Sequence, residues 1–451
     1  MTTASHPPTS QPPQRSPYAA APTTAAQPAL QETPVREPRE DSPLVGKGPR
    51  IEAVDTGLHV LRGQGNSFVI ELDEGLVIVD AGPGGKVTAG MIEAVRHISD
   101  APVHAICYSH GHLGYNAGVP QWLAHAQARG EPAPRLIAHA NVPRRYARYD
   151  ETGALQRRMA EIQFRQPHGF FDRHLHNTRP TETFEHRLTL GQGVRRAELL
   201  WAPSETDDAI AVWLPEQKVL YGGPALIDSI PNVGTPFRTM RDAVRWADTL
   251  ERLAGLGAEL ALREFGPPIV GAEQVRQVLG HTAQALRWLR AEVVQRMNDG
   301  MGEREVLASM AYPPELFDVD WMKPTYGDPS YIVRDIYRSE NGWWDRNPTS
   351  LHPASPQAVA EAQAAAITDK AAVIAQAQAL AERGEHQLAL HVIDLLATAQ
   401  GDDSALAEAR RLKAQWLRER ARQVRSYVSR SLYQVCADRI EGGQAQAFGI
   451  R

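Results

Sequence analysis

Residues 103–118 read VHAICYSHGHLGYNAG. The first five are mostly β-formers, and the run breaks into a Gly- and Asn-rich turn. His110 and His112 sit two residues apart just after the apolar run. Two imidazoles at that spacing face one ion if the loop curls back, and neutral imidazole suits Zn, Fe, Cu or Ni. By itself such a pair is a weak signal, so its meaning depends on the flanking sequence.

Upstream, LHVLRG (58–63) and NSFVIELDEGLVIVDAG (66–82) are short β-rich runs broken by glycines and an Asp-Glu-Gly turn. VTAGMIEAVRHI (87–98) carries helical periodicity. VIVDAG places Asp80 at the C-terminal end of a strand with small residues after it. That position suits a site cleft, and equally a turn. Downstream, RAELLWAPSETDDAIAVWLPEQKVLYGG (196–223) reads strand, loop, strand, turn, strand. Its loop holds Glu205, Asp207 and Asp208, suited to an Asx-turn or to supplying an oxygen ligand. TMRDAVRWADTLERLAGLG (239–257) has apolar residues at helical spacing. Strands mixed with helices over this length predict an α/β class, with sheets packed between helices.

The chain has 451 residues, enough for two or three domains. A net charge of −5 and a pI of about 6.4 argue against a nucleic-acid partner. The basic run RRLKAQWLRERARQVR (410–425) reads as a solvated helix face. Two distant cysteines, Cys107 and Cys436, exclude a disulfide framework and Cys-rich zinc sites. They fit a reducing, cytoplasmic setting. No apolar run reaches membrane-span length, and the first residues lack the apolar core of a secretory signal. Residues 1–50, rich in Pro, Ala, Ser, Thr and Gln, predict a disordered tail. Past about Pro353 the chain turns Ala-rich and strand-poor, which predicts a helical packing or dimerisation module.

The order strand-Asp80-Ala-Gly, strand-HxH-loop, strand-loop-Glu205-strand resembles the metallo-β-lactamase superfamily, whose fold is an αββα sandwich with a metal site at one sheet edge. The alkylsulfatase branch is similar over about Ile51 to Asp438. AHANVPRRYARYDETG (138–153), SETDDAIAVWLPEQKVLYGG (204–223) and YIVRDIYRSENGWWDRNPTSLHP (331–353) carry that likeness. The resemblance implies a domain over 51–295, a helical dimerisation domain over 296–440 and a short tail over 441–451. It implies a homodimer acting on a small-molecule substrate.

Members of that branch hold two zinc ions and hydrolyse sulfate esters. Transferred residue by residue, the first-ion ligands are His110, His112 and Glu205. The second-ion positions read Gly114, Tyr115 and Phe265, and the bridging acid position reads Gly223. The departures sort by site, so the resemblance implies one retained metal position. Asp80 and Tyr115 are then candidate catalytic residues, Asp80 by orienting an imidazole and Tyr115 as a proton donor or radical-stabilising group. His139, Arg157 and Arg158 have either site or surface roles. Two His and one carboxylate suit Zn with a water, and also Fe(II) in oxygen-dependent chemistry. Three functions stay open: a mononuclear metalloenzyme working by hydrolysis or with oxygen, a non-catalytic dimeric scaffold, and an ordinary alkyl sulfate hydrolase.

Overall fold

The computed structural model describes residues 50–63, 65–171, 177–193 and 195–443. The tail expected over 1–50 lies outside them, apart from Arg50, as does most of the one expected after residue 440.

The strands are β1 (Arg50–Asp55), β2 (Leu58–Gly63), β3 (Gly65–Leu72), β4 (Gly75–Val79), β5 (Val103–Cys107), β6 (Arg135–His139), β7 (Glu182–Phe184), β8 (Arg187–Gln192), β9 (Arg195–Trp201), β10 (Ile210–Leu214), β11 (Val219–Tyr221), β12 (Leu260–Leu262) and β13 (Ile269–Val270). The helices are α1 (Gly85–Ile98), α2 (Val119–Ala128), α3 (Val142–Glu151), α4 (Gly153–Gln163), α5 (Ala243–Ala254), α6 (Ala272–Asn298), α7 (Glu303–Ser309), α8 (Pro314–Phe317), α9 (Pro329–Asn341), α10 (Pro356–Ala366), α11 (Lys370–Glu382), α12 (His386–Ala397), α13 (Ser404–Gln423) and α14 (Tyr427–Glu441).

Two sheets form. One runs β1 to β7 in sequence order, the other β13-β12-β11-β10-β9-β8. β4, β5, β6 and β7 pair in parallel. Every residue of β4, GLVIV, is buried, as expected for a strand covered on both faces. One face of β4, through Val77 and Val79, meets the second sheet in a core with Phe68, Cys107, Val212 and Tyr221. The other face, through Leu76 and Ile78, packs on Met91, Trp122 and Tyr146 from α1, α2 and α3. The outer side of the second sheet is covered by α5 and α6, and α7 and α9 pack on α6 in the same core. This is the αββα sandwich the sequence predicts. α5 starts where the Asp242 carboxylate accepts from the backbone N–H of Val244 (2.9 Å) and Arg245 (3.0 Å), a side-chain cap.

α6 runs continuously through residue 295, and α7 and α9 share its sandwich core. The helices from Pro356 onward have a core of their own, built on Ala377, Ile393, Leu396 and Trp416. α14 packs back on α4. Among the described residues no helix is long and apolar enough to cross a membrane.

Phe68 is fully buried between the sheets and stacks on Tyr221 at 5.8 Å between ring centroids. Phe68→Ala is expected to lower unfolding free energy by about 3–5 kcal/mol, measured by urea denaturation.

Candidate metal centre

The site lies where β4, β5 and the loop between β9 and β10 end. β4 passes into Asp80, which holds a positive φ of 65°. Its Oδ1 accepts from the Ser109 backbone N–H (2.8 Å) and the Asn116 side-chain amide (3.0 Å). Asn116 in turn accepts from the Ala81 N–H at 3.0 Å. These bonds fix both ends of the segment carrying His110 and His112. Asp80 therefore orients the loop backbone rather than an imidazole, and it is absent from the cavity wall. Burial raises its pKa to about 6, against the lowering effect of Ser109 and Asn116.

His110 and His112 approach with Nε2 and Nδ1 2.8 Å apart, and Ser109 Oγ lies 2.9 Å from the other nitrogen of His110. Glu205 Oε2 is 3.5 Å from His112 Nδ1. One ligand atom from each of His110, His112 and Glu205 falls within 4.8 Å of the others, the one such group of three among the described residues. That spread suits one ion with bonds of roughly 2.0–2.2 Å.

Gly111 is required by packing. A Cβ there would sit 2.7 Å from Asp208 Oδ2 and 2.8 Å from Arg145 Cδ. Those two groups form the clamp under the loop: Arg145 Nε donates to fully buried Asp208 at 2.5 Å, and its Nη2 to Asp207 at 2.5 Å. Thr206 also donates to Asp208. The Glu205 loop is thus tied to α3 directly beneath the histidines. Glu205 Oε1 accepts from Arg241 (2.7 Å) and Asn232 (2.6 Å), leaving Oε2 toward the histidines.

The electrostatics match the donor chemistry. Burial pushes His110 down to about 4, with Glu205 opposing. Burial and the neighbouring His110 hold His112 well below its usual value. Burial would raise the Glu205 carboxyl, but the Arg241 charge and the hydrogen bonds from Arg241 and Asn232 hold it low. Two neutral imidazoles and an ionised carboxylate are what a divalent transition metal takes, so these residues fit such an ion.

The remaining positions have different fates. At Gly223, φ 54°, a Cβ would stand 2.3 Å from the Ile210 carbonyl oxygen, so no acid fits there. Gly114 and Phe265 line the cavity. Tyr115 does too, and its hydroxyl bonds to Glu264, a buried acid that sequence reasoning missed. Arg145, Arg241 and Asn232 were missed as well, because no spacing rule links them to Glu205. His139 lies outside the site: it bonds to the Glu185 carbonyl (2.8 Å) and stacks on Trp201. Arg157 and Arg158 do not line the cavity.

The site opens on a cavity of about 1600 Å³. Seven arginines and four acids line it. Each of those acids has an arginine: Glu205 with Arg241, Asp207 with Arg145, Asp228 with Arg263 and Asp438 with Arg418. Arg144, Arg238 and Arg245 meet no carboxylate among the described residues. Phe164, Phe170, Phe171, Met159 and Tyr427 supply an apolar wall.

The fold is an αββα sandwich with a candidate metal centre at the strand ends. The sequence profile of the metallo-beta-lactamase superfamily matches residues 60–263, and that of the alkyl sulfatase dimerisation domain matches 302–443. Both parts of the chain are thus similar to alkylsulfatase-like members of that superfamily. It is 26% identical over 395 residues to a linear primary-alkylsulfatase of Pseudomonas sp., covering 83% of this chain and 74% of that one. To an (R)-specific secondary-alkylsulfatase of Pseudomonas sp. it is 25% identical, covering 86% of this chain and 62% of that one. The solved structure of the stereoselective inverting sec-alkylsulfatase Pisa1 from Pseudomonas sp. superposes with a TM-score of 0.75 at 21% identity, covering 88% and 66%. The chain thus spans roughly three fifths to three quarters of these relatives.

Two outcomes are expected. Because the lowered histidine pKa values keep both rings neutral until the pH falls well below 6.5, zinc affinity of the metal-free protein should stay nearly flat from pH 8 to 6. Calorimetric titration checks this, and a steep loss across pH 6.5 would contradict it. Arg145→Met strands buried Asp208 and should cost about 3–5 kcal/mol in denaturant unfolding.

Proposed function

We propose that this protein is a mononuclear metal-dependent hydrolase of sulfate esters carrying an apolar chain. The observation that carries the reading is the convergence of His110, His112 and Glu205 at the cavity. They would hold one divalent ion, and a bound ion supplies Lewis acidity and an activated water. The superfamily match favours zinc. The named activities of the relatives support sulfate ester hydrolysis.

The protein's own groups act around that centre. The arginines without carboxylate partners give the cavity an excess of positive charge, which attracts an anionic head group. The aromatic and Met wall accepts the chain, and the cavity exceeds the roughly 300–1,000 Å³ of an ordinary ligand site. Arg241 and Asn232 keep Glu205 ionised and oriented. Asp80 and Asn116 keep the histidine loop in place.

The donor set also accommodates Fe(II) in oxygen-dependent chemistry, so metal identity decides the reaction class. The helical module is proposed to pair two copies. If the protein were a scaffold only, the metal ligands would be dispensable.

The test is metal content and turnover together. The native protein should hold about one equivalent of zinc and release sulfate from octyl sulfate, whereas His110→Ala, His112→Ala and Glu205→Gln should each lose most of the metal and activity. One equivalent of iron with no sulfate release would move the reading to oxygen chemistry. Less than about a tenth of an equivalent after reconstitution would remove the enzyme reading.

A further inference from the structure

Glu205 takes its position from a loop that is itself held from its far side. Residues 228–241 lead from the second sheet to α5. Asn232 and Arg241 of this loop both donate to Glu205 Oε1, at 2.6 and 2.7 Å. Arg241 also donates to the Asn232 carbonyl, and Thr235 Oγ1 donates to the Asn232 side-chain oxygen. The loop is therefore one bonded unit gathered around a single carboxylate oxygen.

That unit rests on α9 and the segment before it. The Arg241 backbone N–H donates to Asp335 Oδ2 at 2.8 Å, and Asp335 is 6% exposed. The Ile230 N–H (3.2 Å) and Ser229 Oγ (3.0 Å) donate to the Lys323 carbonyl. Gly234 holds a φ of 69°, and a Cβ there would stand 2.0 Å from the Tyr331 carbonyl oxygen, so the loop presses directly on the start of α9. Lys323, Tyr331 and Asp335 all fall in the 302–443 match to the dimerisation domain, whereas His110, His112 and Glu205 fall in the 60–263 match.

Lys323 and Tyr331 act through backbone carbonyls, so Asp335 is the contact that a substitution can remove. α9 already anchors itself through Ile332, Val333 and Ile336 in the core of the second sheet. Packing alone does not require a carboxylate at 335, and burying one costs free energy unless it is bonded. Its bond fixes the backbone from which the Arg241 guanidinium reaches Glu205. A metal ligand has to be placed to within about 0.2 Å, and outer groups supply that precision.

We propose that Asp335 is a positioning residue of the metal centre: by fixing the Arg241 backbone it aims the guanidinium that holds Glu205 Oε1, which leaves Oε2 facing His112. The helical module thereby completes a centre whose ligands all lie in the sandwich. The inference rests on His110, His112 and Glu205 being the ligands of one ion, as read under Proposed function.

The experiment uses metal-free full-length protein, titrated with zinc against a chromophoric chelator. Cobalt(II) is then added in place of zinc, and its visible absorption reports the geometry of the ligands. Asp335→Leu should weaken zinc binding about tenfold and alter the cobalt spectrum. Asp335→Asn keeps an acceptor oxygen for the Arg241 N–H and should stay within about threefold of the parent, with the parent's spectrum. In an Arg241→Met background, Asp335→Leu should have no further effect on zinc affinity, because Asp335 acts through Arg241. Circular dichroism checks folding, and Asp335→Ser, too short to reach the N–H, carries the same comparison should Asp335→Leu not fold.

The inference is overturned if the folded Leu or Ser substitution binds zinc as the parent does. It is equally overturned if Asp335→Asn loses as much affinity as Asp335→Leu, or if Asp335→Leu weakens zinc as much in the Arg241→Met background. A parent that binds neither zinc nor cobalt removes the ligand reading and this inference with it. A parent that binds zinc beside variants that all match it removes this inference alone.

Discussion

Arg145 is the tie on which the centre depends. It leaves α3 and closes on Asp207 and Asp208 of the β9–β10 loop, directly under Gly111. Three segments distant in sequence are thereby held within one side chain's reach. Asp208 is fully buried, so the pair lasts only because its geometry is complete: Arg145, Thr206 and the packing around Gly111 satisfy the carboxylate together. From that anchor Glu205 projects toward the histidines. A side chain at residue 111 would push the histidine loop off the clamp, so the glycine between the two histidines is a condition of the site.

A second layer of bonds sets what each donor can be. Asp80 and Asn116 pin the loop by its backbone, which leaves both imidazoles free of carboxylate partners other than Glu205. Burial then keeps the rings neutral, while Arg241 and Asn232 keep Glu205 charged. The centre thus combines one anion with two neutral donors inside a cavity lined with excess arginine. Nearby, Tyr115 and Glu264 take a region where no further His/Cys/Asp/Glu group of three converges among the described residues. Gly223 allows no acid because a carbonyl occupies the space its Cβ would need.

Much of this was legible beforehand in particular residues. The fully apolar β4, the helical spacing of 87–98 and the strand–loop–strand of 196–223 gave the layers, because periodicity records which faces are covered. His110 and His112 were visible by spacing, and Glu205 by its place in a motif. Asp80 was visible as a strand-end acid but not in its role, since a carboxylate next to a loop can hold backbone or ring equally well. Glu264 sat beside Phe265, and only the direction of its side chain separates a site acid from a turn acid. The extent of the sandwich core was also hidden: α7 and α9 look like the helices after Pro353 but join the core of the second sheet by packing on α6.

The sequence by itself determined the α/β class, the superfamily likeness and the three candidate ligands. Local pattern and short motifs carry that information. The tertiary structure alone decided that Arg145 clamps the loop, that Arg241 charges Glu205, and that Tyr115 meets Glu264 across 149 residues. Those contacts are set by how two sheets close on each other. No periodicity along the chain encodes which buried polar groups will face one another, because each pairing depends on the path of both segments through space.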